Sequence, residues 1–348
     1  MNVRVLPAGE LGPTEIARWS ELARATPLYR NPFFRPELTQ AVAHVRPVRV
    51  AVIEDAGAVA GFFPFEVGRR RAARPVGWPY SDYHGPVLDA AATLDARELV
   101  RACGVSAWSF DHLPAAIAGF DPHVRGRGAS PYLDLSEGFE PYLDGRRSRS
   151  DIRGALRKGR KLAREVGPLR LVAHSDDPQL LARTIDWKRA QYAETGVRDV
   201  LADTGARDLL GRVQAARGAD FGGALSVLYA GDVVAALHLG LRSGEVWHSW
   251  FPAYNPDLDR YSPGLVLMLE LAAAAPALGI REIDLGKGEA RYKLALATGS
   301  VALNEGSVGA RPLSALSARA QAAARRTLRA AGVHRAARRA LRRVRRRD

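Results

Sequence analysis

The 348 residues are 47% hydrophobic and 25% charged, enough apolar material for two buried cores. The net charge of +14 is concentrated, because Arg311 to Asp348 hold 13 arginines and one acid while the preceding 310 residues carry only +2. A single cysteine excludes an internal disulfide or a cysteine-rich zinc site, and no window suits a signal peptide or a membrane span, so a soluble, cytoplasmic protein is expected.

Residues 1 to 140 predict a mixed α/β unit. Thr14 can cap a helix reaching Ala25, a second helix follows the loop TPLYRNPFFRPE, and strands over Val48–Ile53 and Val59–Val67 flank a turn at Asp55 to Gly57. Trp78 to Asp89, dense in Pro, Gly and aromatics, reads as a loop whose Ser81, Asp82, Tyr83 and His84 either line a cleft or pack a turn. Strands near Ala107–Phe110 and Tyr132–Leu135 finish this half, and Cys103 sits in an apolar stretch that predicts burial.

Between Arg146 and Arg164 nine residues are Lys or Arg and one is Asp151, with Ile152, Leu156 and Leu162 near helical spacing. This is an amphipathic helix whose basic face meets either solvent or phosphates. A strand at Leu169–Ala173 and a helix at Pro178–Glu194, capped by Asp176 or Asp177, come next. After a helix near Ala206–Ala216, strands at Ala224–Tyr229, Val233–Leu241 and Val246–Phe251 form a meander through the turns Gly231-Asp232 and Ser243-Gly244. Pro263 and Gly264 open an apolar helix over 265–278 with Gly279 as its stop. Its unpaired first-turn N–H groups are suited to an anion such as a pyrophosphate. A strand at Glu282–Leu285, a short helix around Glu289–Ala297 and a strand at Val301–Val308 follow, and Pro312 to Asp348 reads as a basic helical or disordered tail.

This order, with a phosphate-ready helix directly after a meander, resembles the GNAT acyltransferase fold. The stretches AALHLGLRSGEVWHSWFPAYNPDLDRYSPG and LGIREIDLGKGEARYK, the Trp187-Lys188 and Tyr192 helix, and DYHGP resemble more narrowly the CelD/BcsL-type acetyltransferases of cellulose and exopolysaccharide synthesis, relatives of the FemAB transferases. The resemblance covers roughly residues 30 to 305 and implies an α/β fold of tandem GNAT-like domains, each a mixed, mostly antiparallel sheet flanked by helices. A divergent first copy would span 1–140, the acyltransferase domain 141–310 and the tail 311–348. It implies acetyl-CoA or another acyl-CoA as co-substrate, a small or saccharide acceptor, and no metal. The donor would lie between Val246–Phe251 and Glu282–Leu285, touching Trp250, Tyr261, Ser262, Pro263, Gly264 and Lys287. The acceptor would meet Asp82, Tyr83, Trp187, Lys188, Tyr192, His238 and Tyr254.

Acyl transfer needs a neutral nucleophile, a donor to the developing oxyanion and a proton for the leaving thiolate. Asp284 and Glu289 are the candidate proton acceptors; Tyr254, Tyr261 and Tyr292 are the candidate donors. Each has a bland alternative, since an Asp after a strand caps turns and a Tyr beside a helix start packs. Lys293 joins the catalytic set or pairs with Glu289 at i,i+4 spacing, and His248 or His238 serves as a base or as a half-buried structural imidazole. Lys287, between two glycines, is expected to meet a phosphate or carboxylate. No P-loop, His-Glu-x-x-His or zinc spacing is present. Two other readings remain: a FemAB-like enzyme taking aminoacyl-tRNA on the 146–164 helix, and a catalytically silent scaffold. The tail suits an anionic membrane surface, whereas nucleic acid other than tRNA is disfavoured.

Overall fold

The computed structural model describes residues 2–311; the expected basic tail and its membrane-surface role fall on residues outside these. The first half runs β1 (Asn2–Pro7), α1 (Pro13–Ala25), α2 (Pro36–Ala43), β2 (Val48–Asp55), β3 (Ala58–Val67), β4 (Ala72–Arg74), β5 (Val87–Leu88), α3 (Ala96–Ala102), β6 (Ala107–Pro114) and β7 (Val124–Asp134). The hairpin between β2 and β3 turns through Ala56 and Gly57, both at positive φ, as the Asp-Ala-Gly run predicts. β1, β4 and β5 were not legible in the sequence, and two of them are only three and two residues long.

The second half runs α4 (Phe139–Asp144), α5 (Ser150–Glu165), β8 (Leu169–Val172), α6 (Pro178–Thr195), α7 (Thr204–Ala215), β9 (Gly222–Ala230), β10 (Val233–Ser243), β11 (Val246–Tyr254), α8 (Pro263–Ala274), β12 (Glu282–Asp284), α9 (Arg291–Leu296) and β13 (Gly299–Gly309). Asp177 is the residue that caps α6, accepting from the Gln179 N–H at 2.8 Å. Asp177→Ala is expected to lower unfolding free energy by about 1 kcal/mol in urea melts. The apolar helix ends four residues earlier than expected, because Pro276 lacks the N–H and the clearance to continue it. A separate 3-10 turn, Pro276–Leu278, carries the chain to Gly279 at φ 72°.

All the strands join one sheet in the order β1-β2-β3-β4-β6-β13-β7-β12-β11-β10-β9-β8, with β5 added beside β3. Each half contributes one parallel pair, β4 with β6 and β11 with β12; the other pairings are antiparallel. The strand beyond each parallel pair is exchanged. β7, which ends the first half, pairs with β12 of the second; β13, which ends the second half, pairs with β6 of the first. The two exchanged strands pair with each other at the centre, from Gly299 opposite Tyr132 to Gly306 opposite Val124.

The buried apolar residues form two clusters. One apolar cluster runs from the first half under α6 and α7, and the second gathers around α5 and α8. α8 is apolar on nearly every side and is buried at Val266, Leu267, Met268, Leu269 and Leu271.

Candidate active site

The parallel pair in the second half is short. β11 is paired with β12 only where Val246, Trp247 and His248 face Glu282, Ile283 and Asp284. Beyond that point β11 continues to Tyr254, while the chain after Asp284 turns away at Gly286, whose φ of 72° suits glycine. The two strands splay and leave a notch. The start of α8 lies beside the end of β11 that borders this notch, with Gly264 next to Tyr254. Ser262 begins the helix in the left-handed region (φ 51°, ψ 53°), Pro263 occupies the first turn without an N–H, and no side chain among the described residues caps it. Gly264 keeps the approach open, since a Cβ there would meet only Tyr254 Cδ1 at 3.6 Å.

Lys158, reaching from α5, donates to Ser262 Oγ at 2.7 Å and adds a cation to the positive end of the α8 dipole. The basic run predicted the helix but not which of its nine cations turns inward. The available signal was Gly159, which lets α5 lie against α8; a Cβ there would be 3.4 Å from Val266 Cγ1. Tyr261 differs from its expected role. Its buried ring packs in the core and its hydroxyl donates to Glu165 Oε2 at 2.8 Å, so it anchors the loop and presents nothing to the notch. Trp250 also departs, because its indole N–H donates to the Tyr80 carbonyl at 2.7 Å and fastens β11 to the first half.

A polar network closes the floor of the notch. Asp284 is 1% exposed and already saturated: Oδ2 accepts from Tyr83 Oη at 2.5 Å, and Oδ1 from Ser130 Oγ and the Gly286 N–H, both at 2.7 Å. Its geometry is that of the turn-capping alternative, not of a solvent-facing proton acceptor. Tyr83 is likewise buried, and burial next to Asp284 holds its hydroxyl well above the usual tyrosine range.

His248 is fully buried, which removes the expected contact with a substrate. Asn31 Oδ1 accepts from the Phe33 N–H at 3.2 Å, so the Asn31 amide must turn its NH2 toward His248 Nδ1, 3.1 Å away. His248 Nδ1 also lies 3.3 Å from Asp284 Oδ1, and Nε2–H donates to Asp82 Oδ2 at 2.8 Å. His248 therefore orients Asp82. Asp82 keeps 26% of its side chain exposed and has His112 Nε2 at 3.6 Å from its other oxygen. Burial would raise its pKa, but the hydrogen bond from His248 and the nearby His112, His248 and Lys293 together hold it below the ordinary carboxylate value. His238 does not reach this group; it is buried, shares a 3.0 Å hydrogen bond with Ser249 Oγ, and is pushed by burial down to about 3.

Several expected contacts resolve differently. Lys287 does meet a carboxylate, but an internal one: its ammonium binds Glu305 and the Asp111 carbonyl (2.6 Å), tying the turn to β6 and β13. Glu289 is exposed and precedes α9, which begins at Arg291, so the helical pair with Lys293 does not form. Lys293 donates instead to the Gly286 and Lys287 carbonyls at 3.0 and 3.1 Å. Tyr292 is 38% exposed near Asp82, and Tyr254 stands beside Gly264. On α6, Lys188 reaches the Pro252 carbonyl at 3.0 Å and lies 5.4 Å from the Tyr192 ring centroid, with Trp187 packed against the core. Cys103 is buried, which pushes its thiol up to about 12.

Among the described residues, His84, Asp111 and His112 have ligand atoms close enough for a cation. However, His84 Nε2 already accepts the N–H groups of Asp111 and His112 at 3.0 and 2.9 Å, and Lys287 adds a positive charge nearby. The donor set does not fit a metal.

Residues 148–294 match the family described as Acetyltransferase (GNAT) domain. No curated protein matches the chain by sequence. Among solved structures, FemX superposes with a TM-score of 0.60 at 11% identity, covering 91% of this chain and 99% of its own. A conserved protein of unknown function from Bacteroides thetaiotaomicron gives 0.56 at 11%, covering 84% and 97%, and L-PGS from Bacillus licheniformis gives 0.53 at 11%, covering 85% and 91%. At such identities these likenesses show the fold alone. Residues 148–294 are thus similar to GNAT acetyltransferase domains, and acyltransferase is the enzyme class of the chain.

Proposed function

We propose that the chain transfers an acyl group, in the first instance acetyl, from acyl-CoA to an amine or hydroxyl of a small or saccharide acceptor. The observation that carries this reading is the uncapped start of α8 beside the end of β11 that borders the β11/β12 splay, with Lys158 next to it. The pyrophosphate of the donor is held there by the Gly264 N–H, the helix dipole and the Lys158 ammonium. Pro263 has no N–H and the Leu265 and Val266 N–H groups already bond the Ser262 carbonyl, which makes the lysine the more important. The acyl group then lies in the notch. The acceptor enters between α6, α9 and the 78–86 loop, where Asp82 accepts an N–H or O–H of the nucleophile and offsets the positive charge that develops on it during attack. Tyr292, which reaches solvent, is the hydroxyl available to protonate the thiolate, whereas the Tyr254 hydroxyl is engaged by Asp259. The CelD/BcsL resemblance favours a saccharide acceptor from exopolysaccharide synthesis.

The test is the melting temperature of the full chain against rising acetyl-CoA, with Gly264→Asp and Lys158→Met in parallel, followed by a thiol-release screen of amines and amino sugars. A ligand that binds only the folded state raises stability with the logarithm of its concentration. A saturable rise in the wild type, lost in Gly264→Asp and weakened about tenfold in Lys158→Met, is expected. No rise with acetyl-CoA or longer acyl-CoAs removes this reading. It would turn attention to aminoacyl-tRNA as donor, a reading supported by Arg153, Arg157 and Arg160, which are exposed on α5 and have no carboxylate partner among the described residues.

A further inference from the structure

We infer that the acceptor carries an anionic oxygen group, a carboxylate or a phosphate, held between Lys188 and Lys293 with Gln191 as a third donor. This rests on the acyl-transfer reading above and names the class of molecule that enters the same cleft.

The two ammonium groups come from opposite walls, Lys188 from α6 and Lys293 from α9, and both donate only to main-chain carbonyls: Pro252 for the first, Gly286 and Lys287 for the second. Neither has a carboxylate oxygen within 4.0 Å among the described residues, unlike the enclosed cations Arg18, Arg46 and Lys287. A carbonyl dipole satisfies an N–H but neutralises no charge. The two positive charges are also close enough to repel. Burial first and the charge of Lys293 second push the Lys188 amine down to about 8. Gln191 lies three residues along the same face of α6, and its Nε2 is buried with no hydrogen-bond partner among the described residues. Two ammonium groups with only carbonyl partners and one unpartnered amide N–H group therefore border this cleft, the complement of a planar or tetrahedral oxyanion. Asp82 acts electrostatically on Lys293, Tyr192 and Tyr292, so the nucleophile's end of the cleft adjoins the anion's end. The acceptor is then an amine or alcohol bearing an acid a few bonds away.

The probes are sodium phosphate and sodium glutarate, each compared with sodium chloride at matched ionic strength, with melting of the full chain as the readout. A saturable rise with phosphate assigns a phosphorylated acceptor, and one with glutarate assigns a carboxylated one. Lys188→Met and Lys293→Met should each raise the half-saturating concentration about tenfold or more, whereas Lys158→Met, at the donor site, should leave the response of this cleft in place. Lys188→Gln, which can still donate to Pro252, serves if Lys188→Met does not fold. The response should also weaken as the pH rises through about 8, where Lys188 loses its proton; the other titratable groups around it are Lys293, His238, Tyr192 and Asp82. Acetyl-CoA binding, followed on the same samples, should survive in the Lys188 and Lys293 variants. If the wild type ignores acetyl-CoA but keeps the anion response, the donor reading has failed and this one stands. The inference is overturned by the absence of a saturable rise with either probe, or by an unchanged half-saturating concentration in the lysine variants.

Discussion

Asp82→Asn should lower the rate of acyl transfer by about two to three orders of magnitude while leaving the melting temperature almost unchanged. The asparagine oxygen can still accept the His248 Nε2–H, so the hydrogen bond of 2.8 Å that orients residue 82 survives. What is lost is the negative charge facing the nucleophile. Coenzyme A release with the acceptor found in the amine screen, compared at saturating donor, measures this directly. The pH dependence adds a second check. Because the folded-state pKa of Asp82 is depressed, its charge is present above the ordinary aspartate value of about 3.9 and is lost only as the pH falls through a lower one. The acid limb of the wild-type profile should therefore lie below that value. A variant with wild-type turnover would remove Asp82 from the chemistry.

Asp284→Ala is the substitution expected to damage stability most, by about 4 kcal/mol or more, because three donors lose their acceptor in a dry site and each stranded donor costs about 1–3 kcal/mol. Those donors are Tyr83 Oη, Ser130 Oγ and the Gly286 N–H, and they bring together the 78–86 loop, β7 and the turn after β12. With total stabilities of about 5–15 kcal/mol, such a loss leaves little of the native state. Urea unfolding of purified variants provides the measurement. Adding Tyr83→Phe to Asp284→Ala should recover part of the loss, since removing both partners of a buried hydrogen bond is less harmful than removing one. A loss of about 1 kcal/mol or less would mean that the network contributes little.

The architecture was legible where local chemistry fixes it. The meander, the Pro263 start of α8 and the Asp-Ala-Gly hairpin all follow from turn residues and alternation, and the likeness to acyltransferases rested on stretches that do fold into the notch. The site was legible only as a neighbourhood. Asp82, Tyr83, His248, Asp284 and Lys293 do converge, but alternation along a strand says which face a residue takes and not how deep it lies, so His248 and Asp284 looked available when both are sealed. Their partners Asn31 and Ser130 come from positions far away in the chain, and nothing local marks them. Lys293 failed for a different reason: its pairing with Glu289 assumed a helix that starts two residues later. Pro276 and Gly159 are local signals that mark the end of α8 and the contact of α5 with α8.

The exchange of β7 and β13 governs how the chain is made. As synthesis proceeds from the N-terminus, the first half emerges without the strand that flanks β6, and that strand ends only at Gly309. Until then the β6 edge is an open ladder, the kind of edge that templates pairing with other chains. A ribosome-bound fragment ending after β7 would therefore be an incomplete sheet with two waiting partners, β6 and β7, between which β13 later takes its place. The sheet closes when β13 enters between β6 and β7, and not when the first 140 residues are complete.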